Sequence, residues 1–274
     1  MRRMEDLAYC VSCLATERLG ERMAREAMAS LQGDERDLFE AYRAFVNVRE
    51  PMPATEKFLA AQDRMLQDRI AVAGVVDAGA LSRTPLDGRL SLWRGDITTL
   101  AADVVANAAN SRLLGCWVPG HHCIDNAIHT YAGIQLRLDC AELMRRQGHE
   151  EPVGQAKLTK AYNLPCRYVL HTVGPIVSDS VTREDERLLA SCYRSCLELA
   201  ERGGVESLAF CCISTGVFHF PNRRAAEIAV RTVRQYRAET NSAMKVIFNV
   251  CKDLDKQIYE QLLAQPDEAE DGAL

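Results

Sequence analysis

Apolar residues recur at helical spacing through the first 80 residues of the chain. The first apolar stripe consists of Leu7, Val11, Leu14 and Leu19. Asp34 is a favourable N-cap residue for a helix over 35–46, and Thr55 for a further helix that ends near Gly74. This part of the chain has no cluster of reactive side chains, and we expect it to serve as an accessory or packing element.

The pattern changes from about residue 89, where short β-branched runs alternate with longer amphipathic stretches. Strands are predicted at 90–94, 104–106, 157–161, 168–173, 208–213 and 245–250. Helices are predicted near 125–147, 183–201, 222–238 and 253–264. This alternation predicts an α/β domain with helices on both faces of a mostly parallel sheet. We therefore divide the chain into a helical N-terminal extension (1–85), an α/β domain (86–266) and an acidic tail (267–274).

The composition narrows the class of protein. The 274 residues are 47% hydrophobic and 26% charged, which is typical of a globular protein and excludes a disordered or collagen-like chain. A net charge of −5 and an aromatic content of 6% argue against a nucleic-acid-binding module. No apolar run reaches about 20 residues, so we expect no membrane-spanning segment. The N-terminus has no apolar signal core, and eleven irregularly spaced cysteines indicate reduced thiols in a cytoplasmic protein.

The densest group of polar residues lies at 114–129, where three of the six histidines fall. Cys116, His121 and Cys123 follow the spacing Cys-x4-His-x-Cys, and thiolate and imidazole are ligands that zinc prefers. Three protein ligands leave a tetrahedral ion one open position, as in catalytic zinc sites. The alternative is a loop with buried thiols and solvated histidines. The other nine cysteines lie on or beside predicted helices and strands, and we expect them to pack in the interior.

Two further groups of polar residues follow predicted strands, where ligands bind in open α/β sheets. Asp96 is placed to accept hydrogen bonds from a ligand amine, and the alternative is that it caps a short helix beginning at Ile97 or one residue later. Asn107 and Asn110 are separated by two alanines, which let another backbone approach closely. In isolation this second segment is equally consistent with an ordinary turn.

The segment 211–222 passes from a strand through a loop of small residues into a helix. Backbone amides of such a loop and the positive end of the helix dipole favour an anion, and Gly216 would supply a positive φ or a close approach to phosphate. Asp125 follows the cysteine loop, where it would act as a base or as the N-cap of a helix. His129 and His171 are expected to be packed and hydrogen-bonded.

Taken together, six motifs resemble those of the macrodomain, the ADP-ribose-binding module. They are GDIT (95–98), VANAAN (105–110), IDNAIH (124–129), YNLP (162–165), YVLHTVGP (168–175) and ISTGVFHFP (213–221). They occur in family order over roughly 89–265. The pattern is closest to the MacroD-like hydrolases, whose glycine-rich stretch is replaced here by 115–123. This replacement and the helical extension resemble the zinc-dependent macrodomains of microbes, which are often encoded beside a sirtuin-class ADP-ribosyltransferase.

The resemblance implies a three-layer α/β/α macrodomain with a mixed, mostly parallel sheet behind the helical N-terminal extension. It implies a zinc ion (Zn2+) at Cys116, His121 and Cys123, and it makes Asp125 the catalytic aspartate. It also implies the substrate-binding residues Asp96 and Ile97 near adenine, Asn110 at the distal ribose, and Ser214, Thr215, Gly216, Val217 and Phe218 at the diphosphate. His219 departs from the family, which usually has glycine there, and it would instead lie over the ligand.

The implied function is zinc-dependent hydrolysis of mono-ADP-ribose from modified protein side chains, with Asp and Glu as the expected attachment sites. The expected partners are an ADP-ribosylated protein, the ADP-ribose product and a sirtuin-class ADP-ribosyltransferase, without nucleic acid or membrane. The main alternative is an ADP-ribose-binding reader without turnover, in which zinc is structural. A zinc deaminase is excluded, because its His-x-Glu and Pro-Cys-x-x-Cys motifs are missing from the sequence.

Overall fold

The computed structural model describes residues 2–31 and 34–264, so the predicted acidic tail lies outside the described residues. The N-terminal region contains the helices α1 (Arg2–Leu19), α2 (Glu21–Ser30), α3 (Glu35–Asn47) and α4 (Glu56–Ala73). Asp34 and Thr55 cap α3 and α4 as predicted, since each side chain accepts a backbone N–H of the first turn. Helix α2 was not predicted. Gly20, at φ 79°, separates it from α1, and Leu19 beside it is exposed instead of buried with the first stripe.

Helices α1, α3 and α4 enclose an apolar core of their own. Its members include Leu7, Val11, Phe39, Tyr42, Met65 and Leu66. Ile134 of the following α/β region belongs to the same core, so the extension is packed against the α/β region.

The α/β region is built on a six-stranded sheet. The strands of the chain are β1 (Val76–Asp77), β2 (Leu90–Arg94), β3 (Leu100–Ala101), β4 (Val104–Ala109), β5 (Ala156–Lys160), β6 (Tyr168–Val173), β7 (Ser207–Phe210) and β8 (Lys245–Val250). The large sheet has the order β2-β8-β7-β4-β6-β5, in which only β5 is antiparallel to its neighbour, whereas β1 and β3 form a separate short pair. The mixed, mostly parallel sheet is therefore confirmed.

Two groups of helices pack against this sheet and complete the three-layer arrangement. They are α5 (Ile124–Ala132) with α6 (Ile134–Gln147), and α7 (Arg183–Arg202) with α8 (Asn222–Thr240) and α9 (Asp253–Ala264). The single helix predicted over 125–147 is interrupted at Gly133, which has φ 97°. Other residues adopt this backbone conformation only with strain, so the positive φ favours glycine at this position and α5 ends at Ala132. No helix in residues 2–31 and 34–264 combines the length and apolarity needed to cross a membrane.

The parallel strands bring several loops together at their carboxyl ends. Strand β7 ends at Phe210, three residues earlier than predicted, because the chain leaves the sheet and turns at Ser214 with φ 64°. Strands β2 and β4 end just before Asp96 and Asn110. This edge of the sheet is where a ligand cavity is expected in an open α/β fold.

Candidate active site

A cavity of about 1040 Å³ opens at the carboxyl ends of the strands. Its walls contain each of the predicted site residues: Asp96, Ile97, Asn110, Cys116, His121, Cys123, Asp125, Ser214, Thr215, Gly216, Val217 and Phe218. The structure thus brings together side chains from four separate stretches of the sequence.

The Cys–His loop, residues 115–123, forms one wall of this cavity. The ligand atoms of Cys116, His121 and Cys123 lie within 4.8 Å of one another, and Sγ of Cys116 is 3.4 Å from Nδ1 of His121. All three residues are half-buried. Gly115 and Gly120 have positive φ angles of 77° and 67°, which fold the loop so that its two ends meet. Two sulfur atoms and one imidazole nitrogen converging at this spacing fit a zinc ion.

Asp125 lies in the first turn of α5, two residues after Cys123, and it is only 5% exposed. Nδ2 of Asn107 donates to its Oδ1 (2.8 Å), and Nδ2 of Asn110 donates to its Oδ2 (3.3 Å). Burial raises the pKa of Asp125 to about 6, although the two amides and the charge of Arg137 oppose this rise. The alternative role of Asp125 as N-cap is wrong. Cys123 occupies the cap position of α5, and its Sγ accepts the backbone N–H of Asn126.

A second group of histidine and cysteine side chains is buried in the core close to Asp125. Register pairing of β4 with β6 sets Asn107 beside His171, and Nδ2 of Asn107 is 3.1 Å from Nδ1 of His171. Nε2 of His171 is 2.9 Å from Oγ1 of Thr159. Burial lowers the pKa of His171 to about 4. His171 is hydrogen-bonded as expected, whereas neither ring nitrogen of His129 has a hydrogen-bond partner among the described residues.

Asp96 has the capping role that the sequence offered as an alternative, and its contact with a ligand amine stays a prediction. Its Oδ1 accepts the backbone N–H of Thr98 (2.9 Å) and the hydroxyl of the same residue (2.7 Å), and it caps the short 3-10 helix Ile97–Thr99. It also lines the cavity. Asn110 likewise serves local structure, since its Nδ2 donates to the carbonyl of Gly115 (3.0 Å) as well as to Asp125.

The loop after β7 differs in detail from the prediction. Gly216 does not have a positive φ, and nothing lies within 4 Å of the position of a Cβ on it. The left-handed conformations are at Ser214 and His219, with φ 64° and 58°. His219 therefore adopts the backbone conformation that glycine would favour. Its side chain is exposed and does not line the cavity. The expectation that His219 lies over a ligand is therefore not supported. The backbone N–H of Val177 donates to the carbonyl of Phe218 (2.9 Å) and holds the loop in place.

Three cysteines that we expected to pack in the interior also line the cavity. They are Cys211, Cys212 and Cys251. The early end of β7 explains the first two, because residues beyond Phe210 have left the sheet.

Comparison with known proteins assigns the family. Residues 106–229 match the Macro domain family. A protein of Treponema medium named protein-ADP-ribose hydrolase is 54% identical over 226 residues, which cover 81% of this chain and 86% of that protein. This chain belongs to the macrodomain family of protein-ADP-ribose hydrolases.

Two other relatives place this macrodomain in context. The crystal structure of a Trypanosoma brucei macrodomain in complex with ADP-ribose is similar with a TM-score of 0.61 and 32% identity, and the match covers 80% of this chain and 94% of that one. A Fusarium oxysporum protein named probable bifunctional ADP-ribose hydrolase/ADP-ribosyltransferase is 44% identical over 185 residues, 64% of this chain and 31% of that protein.

The macrodomain site also depends on residues that sequence reasoning missed. Arg43 and Asn47 of α3 hydrogen-bond to the Cys–His loop and to Asn126. The guanidinium of Arg137 lies 4.9 Å from the ring centroid of Trp117, which belongs to the Cys–His loop. These contacts join segments that are far apart in the sequence, so no local pattern could identify them.

Proposed function

We propose that this protein is a zinc-dependent hydrolase that removes mono-ADP-ribose from modified protein side chains, chiefly Asp and Glu. One observation carries the proposal: three zinc-type ligand atoms within 4.8 Å of one another and a buried carboxylate, Asp125, share one cavity wall. A binding module without chemistry would not need a buried carboxylate beside such a group. The complex of the T. brucei relative with ADP-ribose supports the choice of ligand.

The rest of the cavity would anchor the ADP part of the substrate. Asp96 and Ile97 would receive the adenine, and Asn110 the distal ribose. The loop from Ser214 to Phe218 would hold the diphosphate through backbone amides, and open space at Gly216 leaves room for the phosphate oxygens. Anchoring at a distance from the reacting bond converts binding energy into correct positioning of that bond.

Cys116, His121 and Cys123 would hold the zinc ion. When bound there, zinc acts as a Lewis acid toward an oxygen ligand. Asp125 would orient a water molecule and accept its proton while the oxygen attacks the anomeric or the acyl carbon. Attack at the anomeric carbon breaks the bond from that carbon to the side-chain oxygen. Attack at the acyl carbon breaks the bond from the acyl carbon to the ribose oxygen, which then takes up the proton from Asp125. In both routes free ADP-ribose and a side-chain carboxylate are released. Asn107 and Asn110 fix the carboxylate of Asp125 for this step.

We further propose that the protein acts in the cytoplasm on a target modified by an ADP-ribosyltransferase of the sirtuin class. The name of the Fusarium relative combines a hydrolase with an ADP-ribosyltransferase, which supports a functional link between the two activities. The sirtuin class follows from the family resemblance described above.

The decisive experiment measures zinc content together with release of ADP-ribose from carboxylate-linked and serine-linked protein substrates. We expect about one zinc per chain, release from the carboxylate-linked substrate, and loss of both in Cys123→Ala with the fold retained. Full activity in a metal-free preparation would reject the role of zinc. Tight ADP-ribose binding without release from either substrate would instead favour the reader with a structural zinc.

A further inference from the structure

We propose that helix α3 of the N-terminal extension sets the shape of the Cys–His loop, with Arg43 and Asn47 as positioning residues that raise its affinity for zinc. This inference rests on the zinc site of the proposed function. It assigns to the extension a role in the active site, although no residue of the extension lines the cavity among the described residues.

The Cys–His loop has little structure of its own. Residues 115–123 contain no helix or strand, and two of the nine residues are glycines with positive φ. Within the loop, the N–H of His121 donates to the carbonyl of Val118 (3.2 Å). A loop of this kind loses conformational entropy when it adopts one geometry, so contacts from outside must offset that loss before three ligands can converge.

Asn47, at the end of α3, supplies one such contact. It is 1% exposed, and its Oδ1 accepts the backbone N–H of Gly120 (3.1 Å), the residue before the ligand His121. The same oxygen accepts Nδ2 of Asn126 (2.8 Å), and Nδ2 of Asn47 donates to Oγ1 of Thr130 (3.3 Å). One side chain of α3 thus connects the loop to two positions of α5.

Arg43, one helical turn earlier, supplies a second contact. Its Nη2 donates to the backbone carbonyl of His121 (3.2 Å) and to Oδ1 of Asn126 (3.2 Å). Its Nη1 pairs with Glu40 (3.3 Å) on the same helix. Because Arg43 binds the main chain of a metal ligand directly, its removal would free the peptide group that orients the imidazole.

Asn126 transmits these contacts to the remaining ligands. Its side chain is fully buried, and Nδ2 also donates to the carbonyl of Val118 (3.3 Å). Its backbone N–H donates to Sγ of Cys123 (3.4 Å). The network therefore touches both His121 and Cys123, and each of its buried polar groups is costly to leave without a partner.

The C-terminal end of α3 is attached to the loop by a second route. Nη1 of Arg137 donates to the carbonyls of Val46 (2.8 Å) and Arg49 (2.7 Å), where the helix dipole favours a cation. The guanidinium of Arg137 also packs on Trp117, the neighbour of the ligand Cys116. Helix α3 is thereby linked to the residues beside all three ligands.

The test compares zinc affinity, measured by chelator competition on the full chain, in the wild type, Asn47→Ala, Arg43→Ala and the control Arg36→Ala. Arg36 is an exposed residue of the same helix. Loss of an outer hydrogen-bond partner weakens metal binding by about 10- to 100-fold, and we expect this range for the first two variants and no change in the control. Asn47→Asp retains the acceptor oxygen and should lose less affinity than Asn47→Ala.

ADP-ribose affinity and thermal unfolding are measured on the same variants. Since α3 does not contact the adenine or phosphate side of the cavity, ADP-ribose affinity should stay within about twofold of the wild type. Wild-type zinc affinity in both Asn47→Ala and Arg43→Ala would overturn this inference and leave the proposed zinc site intact. A wild type that binds no zinc would overturn both. If Asn47→Ala fails to fold, Arg43→Ala decides the matter by the same criterion.

Discussion

Within residues 2–31 and 34–264, the protein contains two clusters of cysteine and histidine side chains whose spacing would allow a metal ion. The first is the loop triad, Cys116, His121 and Cys123. The second is the core triad, His129, Cys140 and His171. In both, the possible ligand atoms lie within 4.8 Å of one another, so distance alone does not distinguish them.

The surroundings of the two triads differ. The loop triad is half-buried and faces the cavity, so a metal and a substrate oxygen can both reach it. In the core triad, both nitrogens of His171 are already engaged, by Asn107 and Thr159. A metal site therefore needs accessible, uncommitted ligand atoms as well as a short distance between them.

The core triad instead helps to fix the position of the Asp125 carboxylate. Asn107 lies between the two, donating to Oδ1 of Asp125 and approaching Nδ1 of His171. This bond makes Nδ1 an acceptor and leaves the proton of the neutral ring on Nε2, toward Thr159. His171 is thus held neutral, and the orientation of the Asn107 amide is fixed for the carboxylate.

The largest expected effect is on zinc content. His121→Ala or Cys123→Ala should reduce zinc from about one ion per chain to none, because two remaining ligands do not form a stable zinc site. Cys140→Ala, the matched variant in the core triad, should keep full zinc content. Metal analysis of the purified proteins checks both expectations, and loss of zinc in Cys140→Ala alone would reverse the assignment of the two triads.

The next effect is on turnover. Asp125→Asn preserves the size of the side chain but removes the base, so kcat for ADP-ribose release should fall about 100- to 10,000-fold. Zinc content should be unchanged, because Asp125 is not part of the loop triad. Steady-state kinetics on a carboxylate-linked substrate, with ADP-ribose affinity measured in parallel, separates lost chemistry from lost binding. Wild-type kcat in this variant would exclude Asp125 as the base.

The sequence predicted the loop triad because its members are close in the chain. The spacing alone was also consistent with buried thiols and solvated histidines, and the family resemblance favoured zinc. The roles of Asn110 and Asp125 were predicted from the family resemblance, because their local patterns were equally consistent with a turn and with a helix cap. In contrast, the break at Gly133 was missed because the amphipathic pattern continues through it, and the positive φ that interrupts the helix is visible only in the structure.

The role of Asp125 at its helix start was partly misjudged for a related reason. Aspartate is a preferred N-cap and cysteine is not, yet Cys123 caps α5. The contacts of Arg43 and Asn47 were missed altogether, because about 80 residues of chain separate them from their partner Asn126. Such contacts depend on how two regions pack, which residue spacing along the chain does not specify.

The smallest of the three effects is on stability against acid, and it arises from the core triad. His171 stays neutral in the folded state down to about pH 4, whereas in the unfolded chain it takes up a proton as the pH falls below about 6.5. The unfolded state therefore binds more protons in this interval, and the free energy of unfolding decreases as the pH falls from 6.5 to 4. This one residue should account for a decrease of roughly 3 kcal/mol, with no further loss below about pH 4.

Denaturant unfolding between pH 7 and 4 in the presence of a chelator measures this effect without a contribution from metal loss. The variant His171→Gln should be less stable than the wild type at pH 7, because it disturbs the contacts with Asn107 and Thr159. The difference between the two proteins should shrink by roughly 3 kcal/mol on going to pH 4, since carboxylates titrate alike in both and cancel. The exposed His149 provides the control, because His149→Gln removes no buried contact and should leave the stability at pH 7 unchanged. A constant difference between His171→Gln and the wild type would mean that the core triad does not hold His171 neutral, and Asn107 would then lose the acceptor that fixes its orientation toward Asp125.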